Sequence, residues 1–227
     1  MRARELGRVV SAKGAPAPSS PRGLRLMVYD RSCRGRTAMP GLSHAWWAGA
    51  KLYRTMRRLD AYIGVDSWEQ GLEFLAEYRP DQPLAEVQYW GHGKWGGARV
   101  RDQMLDRSAL ESKHPLHSRL AAVRDRFVPQ AQGLWWFRTC ETLGARPGQR
   151  FAMEFSDFMG SRVAGHTFII GHLQSGLHTL APGQQPQWSE EEGLREGSVD
   201  APTRAHWSKL RAPNTITCLR GTIPKGY

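Results

Sequence analysis

No stretch of eighteen apolar residues occurs anywhere in the 227-residue chain, so no membrane-spanning helix is expected. Cysteine is scarce and odd in number: Cys33, Cys140 and Cys218, without CxxC spacing. That argues against a disulfide framework or a zinc knuckle and favours a reducing, cytoplasmic setting. GxGxxG, Walker and GxSxG patterns are all missing, which removes dinucleotide, P-loop and serine-hydrolase readings. The first ten residues, Met-Arg-Ala-Arg-Glu-Leu-Gly-Arg-Val-Val, have no apolar segment behind their basic residues, so no secretory leader is expected. There is no internal repeat.

What is abundant is positive charge and tryptophan. The formal charge is +11, but residues 1–36 carry nine Lys/Arg against only Glu5 and Asp30. That leading segment therefore holds most of the excess, and the remainder is near balance. The expectation is a basic arm over 1–22, disordered around its Ala/Pro/Ser stretch, ahead of one α/β domain over 23–227. The arm offers a route to phosphates, but nucleic acid is not the expected partner. Apolar residues make up 40% of the chain and include nine tryptophans, enough for a sizeable core.

Read in order, the domain alternates strand and helix. Leu24 to Tyr29 is a strand. Ser43 caps a helix from His44, with Trp46, Trp47, Ala50, Tyr53, Met56 and Leu59 on its apolar face. Ala61 to Val65 is the second strand. Ser67 and Gln70 have capping-box spacing before a helix bearing Trp68, Leu72, Leu75 and Tyr78. A third strand runs from Glu86 into Gly91-His92-Gly93, and 94–112 form a polar connection, a lid or hairpin flap. Leu116, Leu120, Val123 and Phe127 mark a helix. The fourth strand, Leu134-Trp-Trp-Phe-Arg138, leads into Thr139-Cys140. Phe151, Phe155, Phe158 and Val163 form the stripe of the next helix, and His166 to Gly171 the fifth strand. Residues 173–213 lose the rhythm and read as an irregular excursion, with 214–221 an edge strand. This alternation predicts a mainly parallel sheet with helices on both faces. The Trp46-Trp47 and Trp135-Trp136 pairs are assigned to the core rather than to stacking platforms.

Two apolar strands thus each end in a residue fit for chemistry. If they are neighbours they lie about 4.8 Å apart and open at one rim, where open parallel sheets gather functional groups. A histidine beside a cysteine can take the thiol proton as the sulfur attacks and return it to a leaving amine. Gly93 leaves its N–H free to face a developing oxyanion, joined by the N–H of Cys140. His172 and Gln174, on the same rim, are candidates to line a substrate pocket. His166, His172 and His178 recur every six residues, but a strand between the first two separates them by about 20 Å, too far to share an ion. No metal and no cofactor are expected. Cys33 and Cys218 are left without a role.

Histidine-glycine at one strand end, then cysteine at the end of the next 48 residues later, resembles the caspase-like cysteine peptidases, the bacterial branch in particular. The resemblance covers about residues 24–172. It implies a three-layer α/β/α sandwich with a mainly parallel sheet. It also implies an endopeptidase acting on a protein or peptide through an acyl-enzyme, with His92 as base and acid, Cys140 as nucleophile, and the Gly93 and Cys140 amides as oxyanion hole. The chain departs from the family in reading Arg138-Thr139-Cys140-Glu141-Thr142, which sets a carboxylate beside the thiol. The other reading is a catalytically inactive scaffold or interaction domain of the same fold, with the basic residues of 1–36 serving nucleic-acid or partner binding.

Overall fold

The computed structural model describes residues 23–35, 41–129 and 132–227; the expected basic arm at 1–22 lies outside them. The described elements in chain order are β1 (Leu24–Asp30), α1 (Leu42–Thr55), β2 (Ala61–Val65), α2 (Trp68–Glu77), β3 (Leu84–Trp90), β4 (His92–Lys94), β5 (Gly97–Val100) and β6 (Gln103–Asp106). They continue with α3 (His117–Arg124), β7 (Leu134–Arg138), α4 (Ala145–Met159), β8 (Arg162–His166), β9 (Leu173–Gln174), β10 (Leu177–Leu180), β11 (Leu194–Gly197), β12 (Pro202–Ala205) and β13 (Ile216–Thr217).

Six strands form the main sheet in the order β10-β8-β7-β3-β1-β2. All neighbours are parallel except β10, which runs antiparallel against β8. The order turns back at β1, one strand in from the β2 edge, and the chain then builds outward on the other side through β3, β7 and β8. Every residue of β7 is buried, which explains why it reads as an unbroken aromatic run rather than an alternating one.

The strands present alternate residues to two cores. On one face Leu26, Val28, Val87, Tyr89, Trp135 and Phe137 meet Trp68, Leu72, Leu75, Leu120, Phe151 and Phe155 from α2, α3 and α4. On the other, Met27, Tyr29 and Trp90 meet Ala50 and Tyr53 of α1, while Trp136, Ala164, Leu177 and Ile216 form a separate small cluster. The helix stripe expected through Val163 ends earlier, because α4 stops at Gly160, whose φ of 58° closes it in the left-handed region. Val163 belongs to β8.

Several boundaries differ from the sequence expectations. Helix α1 begins at Leu42, capped by Gly41 without a side-chain bond, because the Ser43 hydroxyl donates to the Cys33 carbonyl at 2.7 Å instead. Its Trp47 and the Met56 that caps its end are exposed, at 43% and 47%, and Trp46 is only partly covered, so the tryptophan pair is not core. Trp135 and Trp136 are fully buried. The fifth strand is Arg162–His166, ending where the sequence pattern begins it; the apolar Phe168-Ile169-Ile170 run forms the rim loop after it. His166 and His172 therefore do not bracket a strand. The 173–213 stretch is built rather than irregular: β10 within it supplies the edge of the main sheet. The 214–221 stretch holds β13, which pairs with β9 and not with that sheet. Residues 92–106 are a three-stranded antiparallel flap, β4-β5-β6.

Candidate active site

Strands β3 and β7 are neighbours, with Trp90 paired to Arg138. His92 and Cys140 each stand two residues beyond that pair, at the carboxyl end of the sheet. The two backbones touch there. A Cβ added to Gly93 would come within 2.5 Å of the Cys140 carbonyl oxygen and collide with the Thr142 hydroxyl, so only glycine fits against the cysteine loop. One residue on, the Lys94 ammonium pairs with the Glu141 carboxylate at 3.0 Å. The Cys140 loop is held in an uncommon shape: Glu141 has φ 43° and Ala145 φ 54°. Its Glu141 and Leu143 amides donate to the Phe168 and His166 carbonyls. Among the described residues the Cys140 N–H donates to no backbone carbonyl.

His92, Cys140, His172 and Gln174 all line one cleft of about 560 Å³, walled by Leu42, Trp46, Leu52, Trp90, Ile170 and Leu219. The Cys140 thiol points to the Ile170 carbonyl at 3.9 Å. Burial above all pushes that thiol up from its ordinary range; Glu141 adds to this and Lys94 opposes it. The His92 imidazole is pushed down, first by burial and then by Arg99, with Asp30 opposing. Near neutral pH the pair is thus a thiol and a neutral imidazole, which calls for proton transfer during attack rather than a preformed ion pair.

The imidazole does not bond to Cys140. Its Nε2 lies 3.0 Å from the sulfur of Cys33, and its ring meets Trp46 edge-on, with centroids 5.7 Å apart. Cys33 follows the end of β1, the strand on the other side of β3, so three neighbouring strands deliver Asp30-x-x-Cys33, His92 and Cys140 to one rim. Burial, then Asp30, pushes the Cys33 thiol up.

Neither a protein-family model nor a curated protein sequence matches the chain.

The floor of the cleft rests on Arg138, a residue with no assigned part in the sequence reading. It is buried between the rings of Trp90 and Trp136, 4.6 and 4.5 Å from their centroids. It donates to Gln174 Oε1, the Tyr53 hydroxyl and the carbonyls of Cys218 and Arg220. Gln174 lines the cleft with its amide oxygen already committed to that guanidinium. His172 Nδ1 lies 3.5 Å from the Cys218 sulfur. Both cysteines passed over in the sequence therefore have an imidazole partner at this rim. For Cys33 the available signal was the rim rule itself: Asp30 closes β1 as Arg138 closes β7.

Proposed function

We propose that the chain is a cysteine endopeptidase of caspase-like, three-layer α/β/α architecture, with Cys140 as nucleophile and His92 as proton carrier. The reading rests on one observation: the Gly93 backbone is packed against the Cys140 carbonyl, so the His-Gly turn and the cysteine loop open on one cleft. Further support comes from the parallel β3–β7 pair and from a Cys140 amide that, among the described residues, donates to no backbone carbonyl.

In this mechanism the sulfur of Cys140 attacks the scissile carbonyl carbon as its proton passes to His92. Of the two imidazole tautomers, the one whose Nε2–H donates to the Cys33 sulfur leaves Nδ1 basic, the state a general base needs. The carbonyl oxygen becomes an oxyanion facing the Gly93 and Cys140 amides, donors worth about 3–4 kcal/mol each in such sites. The C–N bond then breaks, His92 returns the proton to the leaving amine, and water, deprotonated by His92, releases the acyl group from sulfur. The apolar walls fit a large apolar substrate side chain.

A peptidyl chloromethyl ketone carrying such a side chain tests this directly. Peptide mapping should find the label on Cys140, at a rate that collapses in His92→Ala. Label on Cys33 or Cys218 instead, or a rate at Cys140 no faster than in the unfolded chain, overturns the assignment.

A further inference from the structure

Behind His92, away from Cys140, three potential metal ligands converge. One atom each from Asp30, Cys33 and His92 lies within 4.8 Å of the others. The Cys33 sulfur is 3.0 Å from His92 Nε2 and 4.0 Å from Asp30 Oδ2. Ligands sharing a tetrahedral zinc ion at about 2.0–2.3 Å sit ~3.5 Å from one another, so both separations need to change by only about half an ångström.

The site is also preorganised. The Cys33 carbonyl accepts from both the amide and the hydroxyl of Ser43, at 3.1 and 2.7 Å, which pins the cysteine to the first turn of α1. Asp30 is 1% exposed. Its carboxylate accepts the Ser32 amide at 2.7 Å and, at 3.5 Å, that of Arg101. Among the described residues no lysine or arginine forms an ion pair with it. A buried carboxylate held by two amides and a long contact from the Cys33 thiol carries a charge that a cation would offset. Arg99 faces Cys33 and His92 and opposes a cation there; a thiolate and a carboxylate together outweigh it.

We propose that Asp30, Cys33 and His92 bind one divalent zinc-class ion through Oδ2, Sγ and Nε2, with the fourth position left to water. Mixed oxygen, sulfur and nitrogen donors suit zinc far better than magnesium or calcium. Binding displaces the thiol proton to solvent. The consequence for catalysis rests on the peptidase reading above: an ion on Nε2 fixes the hydrogen on Nδ1, so His92 can no longer take the proton of Cys140. Metal and proteolysis then compete for one imidazole.

The test uses the full chain, stripped with chelator and titrated with Co²⁺, whose bond to a thiolate gives a near-ultraviolet charge-transfer band. One equivalent should produce the band, and Zn²⁺ should displace it. Cys33→Ser should abolish the band and Asp30→Asn weaken binding at least tenfold, while Cys140→Ala and Cys218→Ser leave it intact. No band in the folded wild-type chain, or a band that survives Cys33→Ser, overturns the site. This wild-type titration holds even where a variant fails to fold. In the second arm, Zn²⁺ should slow chloromethyl ketone labelling of Cys140 at least tenfold. Unchanged labelling with the site filled overturns the competition. A chain that binds Co²⁺ through Cys33 but never labels at Cys140 loses the peptidase reading and keeps the metal site.

Discussion

The two faces of the central sheet are made from alternate residues of the same strands, yet they have different chemistry. Trp135 and Phe137 of β7 point to a face closed by three helices and packed with rings: Trp135 lies edge-on to Phe155 at 5.2 Å, and Phe137 meets Phe151 and Phe155 at 5.4 and 5.2 Å. Trp136 and Arg138, one residue along in each case, point to a face covered by one helix and the C-terminal segment. There a buried guanidinium replaces hydrocarbon, and a cleft remains. The first face is expensive to disturb because every atom has neighbours. The second trades packing for a polar tie that joins α1, β7, β9 and residues 218–220 beneath the site. Stability and chemistry are thereby divided between odd and even positions of one strand.

The sharpest way to test that division is at its extremes. Cys140→Ala should lower the proposed peptidase activity by about 10³-fold or more while leaving the unfolding free energy within about 1 kcal/mol, since the thiol is small and its hydrogen bond to the Ile170 carbonyl is long. Trp135→Ala should do the reverse. It should destabilise by about 3–5 kcal/mol in urea unfolding, with labelling of Cys140 unchanged in the fraction that stays folded. A large loss of stability from the first, or of reactivity in the folded second variant, would show that the faces are not separable.

A smaller effect tests the buried polar groups on the site side. His166 is fully buried, and burial, with Arg138 adding, drives its pKa down to about 3. Its Nδ1–H donates to the Ser175 carbonyl at 3.1 Å, and Nε2 has no partner. The unfolded chain protonates this histidine near pH 6.5 and the folded one does not. Its contribution to stability is therefore complete above that pH and is lost progressively as pH falls toward 3. By pH 5 the loss is about 2 kcal/mol. Unfolding curves between pH 7 and 5 should show that slope, and His166→Gln should flatten it. An equal slope in the variant would place the acid lability elsewhere.

Legibility from sequence follows the same division. The helix-covered face was readable because burial writes itself as periodicity: Trp68, Leu72 and Leu75 on α2, and Phe151 and Phe155 on α4, all lie where the spacing puts them. On the site face the legible part was the placing of His92 and Cys140 at neighbouring strand ends, where both line one cleft. The fifth strand was misplaced because its most apolar stretch, Phe168-Ile169-Ile170, is held as a rim loop by bonds to the cysteine loop and to the 206–208 segment, whereas β8 has only Val163 and Ala164 as aliphatics. Apolar pattern reports burial and says nothing about which hydrogen bonds a segment makes. The helix α1 tryptophans misled for a related reason: their spacing is helical, but the face they make borders the cleft and solvent, with Lys51 over the Trp47 ring at 3.9 Å. Cys33 needed knowledge of strand order, since only the adjacency of β1 and β3 sets Asp30 and Cys33 beside His92.

The finest test concerns the carboxylate next to Cys140, the proposed nucleophile, where the chain departs from the proposed family pattern. Glu141 is buried, with Oε1 bound to Lys94 and Oε2 without a partner. Its charge raises the Cys140 thiol and that of Lys94 lowers it, the carboxylate acting the more strongly of the two. Lys94→Ala removes only the favourable half. The thiol should move further up and the rate of Cys140 alkylation at pH 7 should fall a few-fold, with the alkaline limb of the rate–pH curve displaced to higher pH. Glu141→Gln should move the limb the other way, and the double variant should fall between them. Because the Lys94 side chain is largely exposed, added salt should shrink the single-variant effects. If neither charge shifts the limb, the Glu141 carboxylate is electrically silent at the sulfur, and the departure from the family pattern has no catalytic cost.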